Sequence, residues 1–434
     1  MEFQNEFRCA CGKLHQSMLD DVIIGKGVIE RLPEVIARYN AKKVFVFADP
    51  NTDTVAGVRV TEILDQNHIA YTKYVFASAE LEPNEEAVGS LMMHYDTACD
   101  LIVGVGSGVL NDIGKILASI AKLPYIIVGT APSMDGYASA SSSMARDGLK
   151  ISLSTKSANV IIGDIDIVKT APVKMMVSGL GDMLAKYISI CEWRISNLIN
   201  GEYYCPTVAE LVKKALQKCV DNAEGLLVRD ETAVEAVFEG LVLSGIAMNY
   251  AGVSRPASGC EHYISHIWDM RGLEFGTPVD FHGIQCAIGT LYAAKLYEQI
   301  KAYTPDREKA LAYAAAFDPE AYSAEMKEFL GTAADSMIAL EKKERKYDTA
   351  AHAKRLEIII ANWKEICAII DEEVPSYAFL YDLMERIQAP KTAADIGIDE
   401  AILPLTFKTS KDIRDKYVLP RLFWDLGILD EAKF

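Results

Sequence analysis

The chain has 434 residues, half of them apolar, and a formal charge of -17 at pH 7. A chain of this size buries more than one core, which predicts two domains. The acidic balance excludes nucleic acid and anionic membranes as main partners, since both select basic surfaces, and no uninterrupted apolar run reaches membrane-spanning length.

The N-terminal stretch MEFQNEFRCACGKLH has no apolar core of the kind a secretory signal needs. Nine cysteines, an odd number without framework spacing, read as thiols in a reducing cytoplasm. Cys9, Cys11 and His15 form C-x-C-G-x-x-H. With one further ligand this set suits zinc, but no second pair follows, and a glycine-containing turn is the simpler reading.

From residue 43 onward, apolar runs of strand length alternate with helical stretches. KKVFVFADP, AYTKYVFA, DLIVGVG and PYIIVGTAP read as strands, separated by helices near residues 55–67, 83–95 and 109–121. This alternation predicts a parallel sheet covered on both faces. A more antiparallel stretch, GLKISLSTKSANVIIGDIDIV, closes this half near residue 168. The serine-rich ASASSSM at 138–144 reads in isolation as a mobile loop. Beyond Thr170 the period is helical to the C-terminus, so the expected domains are 1–168, α/β, and 169–434, all-helical.

Gly104, Gly106 and Gly108 lie between a strand and a helix in LIVGVGSGVLNDIGK. A phosphate-binding turn needs that placement, because glycines admit the anion and the helix aims free N–H groups at it. A tight strand–helix connection without ligand is the alternative. Asp49 ends a strand ahead of this loop, where it suits either ribose hydroxyls or the cap of a turn. Thr130, Ser133 and Ser139 offer short hydroxyls at the same sheet edge, and Asp135 suits a substrate hydroxyl better than a phosphate. Three of the seven histidines, His262, His266 and His282, fall within 21 residues. With Asp182 in a glycine turn upstream, they point to a metal site.

The segments GVGSGVLNDIGK, GTAPSMDGYAS, SGLGDMLAKYISICEWR, SRPASGCEHYISHIWD and HGIQCAIGTL together resemble the sn-glycerol-1-phosphate dehydrogenases. These belong to the superfamily of glycerol dehydrogenase, dehydroquinate synthase and the iron-containing alcohol dehydrogenases. The resemblance implies a Rossmann-like α/β domain, an all-α domain and an active site in the cleft between them. It implies metal ligands Asp182, His262 and His282, with His266 beside the substrate, and Asp135 and Asp182 touching it. It implies nucleotide contacts from Asp49, from Gly106, Ser107, Gly108, Val109 and Leu110, and from Thr130, Ser133 and Ser139. The implied reaction is reduction of dihydroxyacetone phosphate with NADH or NADPH, by a homodimer using zinc or nickel. Lys186 stands where the iron enzymes carry a further histidine, which leaves a three-ligand open site. Arg255 is a candidate phosphate anchor, with a helix-end surface arginine as the alternative. A polyol dehydrogenase and a lyase like dehydroquinate synthase are the rival readings within the fold.

Overall fold

The computed structural model describes residues 3–146 and 149–434; Gly148, the first residue of the expected antiparallel stretch, lies outside the described residues. Ten strands are described: β1 (Glu6–Arg8), β2 (Leu14–Gln16), β3 (Asp21–Gly25), β4 (Lys43–Ala48), β5 (Ala70–Val75), β6 (Leu101–Gly106), β7 (Tyr125–Gly129), β8 (Ser141–Arg146), β9 (Leu149–Ser154) and β10 (Val160–Asp164). Six form one sheet in the order β3-β10-β7-β6-β4-β5, every pair parallel. Apart from Tyr125 and Asp164, the central strands β6, β7 and β10 are Val, Ile, Leu and Gly, and they are buried along their whole length, as a sheet covered on both faces requires. Edge strand β5, with Lys73 and three polar or aromatic neighbours, is only partly buried.

Register decides what this sheet presents. Ala48 pairs with Val105, and Gly106 pairs with Gly129. The carboxyl ends of β4, β6 and β7 therefore lie side by side, which is where a parallel sheet binds ligands. Helix α1 (Gly108–Ala121) runs back along the sheet. A Cβ on Gly104 or on Gly114 would stand 2.5 Å from the Tyr125 hydroxyl, so both glycines serve close packing of helix on strand.

Two expectations change. The serine-rich run is not a loop throughout: from Ser141 it forms β8, paired antiparallel with β9, because Ser142 and Met144 turn inward and are buried. The change from strands to helices falls at Ile165, but the compact units are cut differently from 1–168 and 169–434. One unit comprises Met1–Met183 and Glu210–Val253, the other Leu184–Ala209 and Ser254–Phe434. The physical reason is that helices α2 (Val173–Leu184) and α4 (Glu231–Ala251) pack on the α/β part: a Cβ on Gly179 would meet the Pro132 carbonyl, and Phe238 lies against Gly129 and Gly163.

The second unit is helical among its described residues, with α3 (Lys186–Asn200), α5 (Cys260–Phe275) and α6 (His282–Lys301) around a core that includes Ile188, Ile195, Tyr263, Leu296, Phe423 and Trp424. Its C-terminal part is organised by a buried carboxylate. Asp412 accepts from Arg421 at 2.7 Å and from Tyr322 at 3.0 Å, and pairs with Lys411 at 2.9 Å. Burial lowers the Lys411 ammonium to about 7, against the opposing pull of Asp412. Among the described residues, no helix is long and apolar enough to cross a membrane.

Candidate active site

In the α/β unit, the expected nucleotide residues gather at the carboxyl edge of the sheet. Thr130 follows β7, and its N–H donates to the Gly106 carbonyl at 3.1 Å, tying two strand ends together. Ser107 caps α1 with extended backbone and no side-chain cap bond. The N–H groups of Gly108, Val109 and Leu110 lie in the first turn, where helix geometry supplies no backbone acceptor. The Leu110 side chain is buried, so it offers this edge only its backbone. Asp49 follows β4 and caps the turn Pro50–Thr52, accepting from the Thr52 N–H at 2.8 Å through Oδ1. The capping role is thus realised, and Oδ2 is not used by that cap.

The loop after β7 is held from below by side chains that sequence reading passed over. The fully buried Lys115 pairs with Asp112 at 2.8 Å and donates to the carbonyls of Gly136 and Ser141. Asn111 donates to the Gly136 carbonyl at 2.9 Å. The available signal was Asn111, Asp112 and Lys115, three of the four polar residues on a mostly apolar helix. Ser133 and Ser139 are buried in this loop; Ser139 Oγ accepts from the Ser141 N–H at 3.2 Å, and the Ser133 carbonyl accepts from Ser178 at 2.9 Å.

Asp182 lies not in a glycine turn but within helix α2, where it is fully buried, and its Oδ2 accepts the backbone N–H of Asp135 at 2.9 Å. Gly179 makes this reach possible. A Cβ there would stand 1.9 Å from the Pro132 carbonyl oxygen, so only glycine lets α2 approach the loop so closely. Asp182, three residues on, shares that face. The Asp135 carboxylate accepts from Ser244 at 2.8 Å.

In the helical unit, two stripes at helical spacing face each other. One is His262, Ser265, His266 and Asp269 on α5; the other is His282, Gln285, Cys286 and Gly289 on α6. A Cβ on Gly289 would stand 2.8 Å from the Glu261 carbonyl, so this glycine sets how closely the helices cross. The rings of His262 and His282 are 5.0 Å apart, those of His266 and His282 5.8 Å. Donor atoms of His262, His282 and Cys286 lie within 4.8 Å of one another. Burial pushes the Cys286 thiol up, but the two imidazoles beside it pull harder and leave it below its ordinary value.

Both imidazoles are oriented from behind. Glu261 Oε1 lies 2.7 Å from His262 Nδ1. An ionised carboxylate only accepts, so Nδ1 carries the proton and Nε2 presents its lone pair. Ser265 Oγ lies 3.2 Å from His282 Nδ1 and is itself bonded by Gln285, which also donates to Asp269. The donor chemistry fits a divalent cation: two imidazoles, that of His262 with its tautomer set by Glu261, and a thiol in reach. Glu261 and Cys286 were missed at the sequence level, although Glu261 adjoins His262 and Cys286 stands one turn after His282.

Lys186 is fully buried and donates to the Ala257 carbonyl at 3.1 Å, holding the turn that leads into α5. Arg255 in the same turn requires a correction. It is neither a surface residue nor open to a phosphate: its guanidinium donates to Glu202 at 2.8 and 2.5 Å, to Ser196 at 3.2 Å and to the Tyr417 carbonyl at 2.8 Å. A carboxylate, a hydroxyl and a carbonyl of its own unit together occupy four of its five N–H donors, which makes it a poor phosphate anchor.

The chain is similar to known proteins in sequence and in fold. The family model for iron-containing alcohol dehydrogenases matches residues 23–172. The glycerol-1-phosphate dehydrogenase (NAD(P)+) of Halalkalibacterium halodurans is 33% identical over 294 residues, covering 67% of this chain and 74% of that protein. The protein of the same name from Bacillus subtilis is 30% identical over 319 residues, covering 71% and 81%. Among solved structures, glycerol dehydrogenase from Schizosaccharomyces pombe shares the fold, with a TM-score of 0.62, 17% identity, and coverage of 95% of this chain and 89% of that one.

Proposed function

Because the chain belongs to the glycerol-1-phosphate dehydrogenase family, within the iron-containing alcohol dehydrogenase superfamily, we propose that it reduces dihydroxyacetone phosphate to sn-glycerol 1-phosphate with NADH or NADPH. The observation that carries the substrate is likeness to curated enzymes of that name over two thirds of the chain. The facing histidine stripes of α5 and α6 support the same chemistry.

The dinucleotide supplies a hydride, and a divalent ion supplies Lewis acidity toward the carbonyl oxygen. His262 and His282 would hold the ion, with Asp182 as third ligand by resemblance. Zinc and nickel both accept this set, and the Cys286 thiol beside the imidazoles favours zinc. The first turn of α1 offers N–H groups to the pyrophosphate, Thr130, Ser133 and Ser139 offer hydroxyls, and Asp49 Oδ2 would take the ribose. Asp135 would accept from the substrate hydroxyl. His266, one helical turn from His262, would give the product oxygen the proton that balances the hydride. Arg255 enters only as the brace of the turn before α5. We place the enzyme in the reducing cytoplasm, following its cysteine usage, and as a homodimer, following the resemblance.

The test is an NADH and NADPH oxidation assay with dihydroxyacetone phosphate in the presence of zinc or nickel, followed by enantiomer analysis of the product. Metal-dependent turnover to sn-glycerol 1-phosphate is expected. Equal turnover of unphosphorylated dihydroxyacetone would replace this reading with a polyol dehydrogenase. Bound nicotinamide with no net absorbance change on any ketone would replace it with a lyase.

A further inference from the structure

The N-terminal hairpin is too small to hold itself. Strands β1 and β2 have three residues each, and every one of those side chains except Phe7 and His15 is exposed. Isolated two-stranded hairpins are marginal in water. Yet this hairpin is ordered: Cys9 N–H donates to the Lys13 carbonyl and Gly12 N–H to the Cys9 carbonyl, both at 3.0 Å. The turn needs Gly12, whose φ is +89°. The expected glycine turn is therefore present, but it does more than reverse the chain. It brings the Cys11 Sγ to 3.4 Å from the His15 Nε2.

His15 is fully buried, and its Nδ1 lies 2.6 Å from the Tyr250 carbonyl at the end of α4, in the same unit. A carbonyl oxygen only accepts, so Nδ1 carries the proton and Nε2 turns its lone pair toward the thiols. This is the tautomer and backing that metal-ligating histidines show. The Cys11 N–H points to the Cys9 Sγ at 3.5 Å. The donor atoms of Cys9, Cys11 and His15 all lie within 4.8 Å of one another. Neighbouring ligands of a tetrahedral zinc stand roughly 3.5–3.8 Å apart, given Zn–S of about 2.3 Å and Zn–N of about 2.0 Å. The cluster closes on an ion with only small side-chain adjustment.

We propose that Cys9, Cys11 and His15 hold a structural zinc ion that locks the N-terminal hairpin, whose His15 is bonded through Nδ1 to the Tyr250 carbonyl at the end of α4, with one coordination position left to a further donor. Two thiolates select zinc over magnesium or calcium. The ion is separate from the α5–α6 histidines, and this site stands whether or not those histidines bind metal.

The experiment is metal analysis of the full-length protein purified after growth in zinc, combined with alkylation of thiols read peptide by peptide. One zinc equivalent should survive His282→Ala and disappear in Cys9→Ser or Cys11→Ser. In the unmutated protein, Cys9 and Cys11 should resist alkylation until a chelator is added, then react at least tenfold faster. With cobalt in place of zinc, a Cys286→Ser background should keep a thiolate charge-transfer band that Cys11→Ser abolishes. The alkylation readout needs no variant, so a misfolded mutant does not rescue the idea. Zinc content unaltered by Cys9→Ser, or equal reactivity of both thiols with and without chelator, would overturn it.

Discussion

Glu261 and His262 are adjacent in sequence, and their side chains meet at 2.7 Å, carboxylate oxygen to Nδ1. Neighbours on a helix point about 100° apart, so the contact arises because Glu261 curls back at the start of α5, where it also accepts the Gly259 N–H at 2.7 Å. The result is an imidazole locked in one tautomer.

Glu261→Gln should therefore weaken metal binding about 10- to 100-fold while the fold persists, since an amide oxygen accepts the same bond with less charge. Competition with a chelating dye measures this. Unchanged affinity would show that the carboxylate does not tune His262.

Gly179→Ala places a methyl carbon 1.9 Å from the Pro132 oxygen unless helix and loop separate. Overpacking of this kind costs about 1–3 kcal/mol. We expect a lower Tm together with reduced kcat, because the separation also breaks the contact from the Asp135 N–H to Asp182. A wild-type Tm would refute the packing argument.

Asp412→Asn leaves Lys411 and Arg421 buried without their shared counter-charge. Breaking a buried ion network by removing one partner costs about 3–5 kcal/mol. Urea unfolding followed by tryptophan fluorescence reports this, as Trp424 is in the same core. Adding Lys411→Met to Asp412→Asn should recover part of the loss. A single-mutant cost below about 1 kcal/mol would contradict the assignment.

Glu192 is buried between the N–H groups of Cys260 and Leu419, and burial together with the nearby Glu261 carboxylate pushes it up to about 8. Unfolded, it titrates near its ordinary value of about 4.3. Between those limits the folded protein holds a proton that the unfolded chain releases, so this group makes stability fall as pH rises from about 4 to about 8. Glu192→Gln should flatten that slope, whatever it does to absolute stability. An identical slope of Tm against pH in the variant would remove Glu192 as its source.

Asp49 serves as cap through one oxygen and, in the proposed function, as ribose acceptor through the other. Asp49→Asn preserves the cap and removes the charge that repels a 2′-phosphate. The preference for NADH over NADPH should fall by about tenfold, equivalent to about 1.4 kcal/mol. An unchanged cofactor ratio with unchanged Tm would take Asp49 out of the nucleotide site.

The sequence by itself determined the alternating βα half, the helical remainder, the glycine-rich strand end and the histidine spacing, because hydrophobic period and glycine placement are local properties. Reading from sequence also singled out the Cys9–His15 turn. Tertiary structure alone decided the rest. Arg255 looked like an anion anchor and is instead paired with Glu202, since its main partner is a residue 53 positions away. Glu261, Cys286 and Lys115 lie inside segments that carry the resemblance, yet local spacing assigned them no role; facing helices and a buried loop did. The cut between compact units could not be read from periodicity, because α2 and α4 are helices by pattern yet pack on the α/β part. Local period fixes what an element is; only the close approaches at Gly179 and Gly289 fix what it meets.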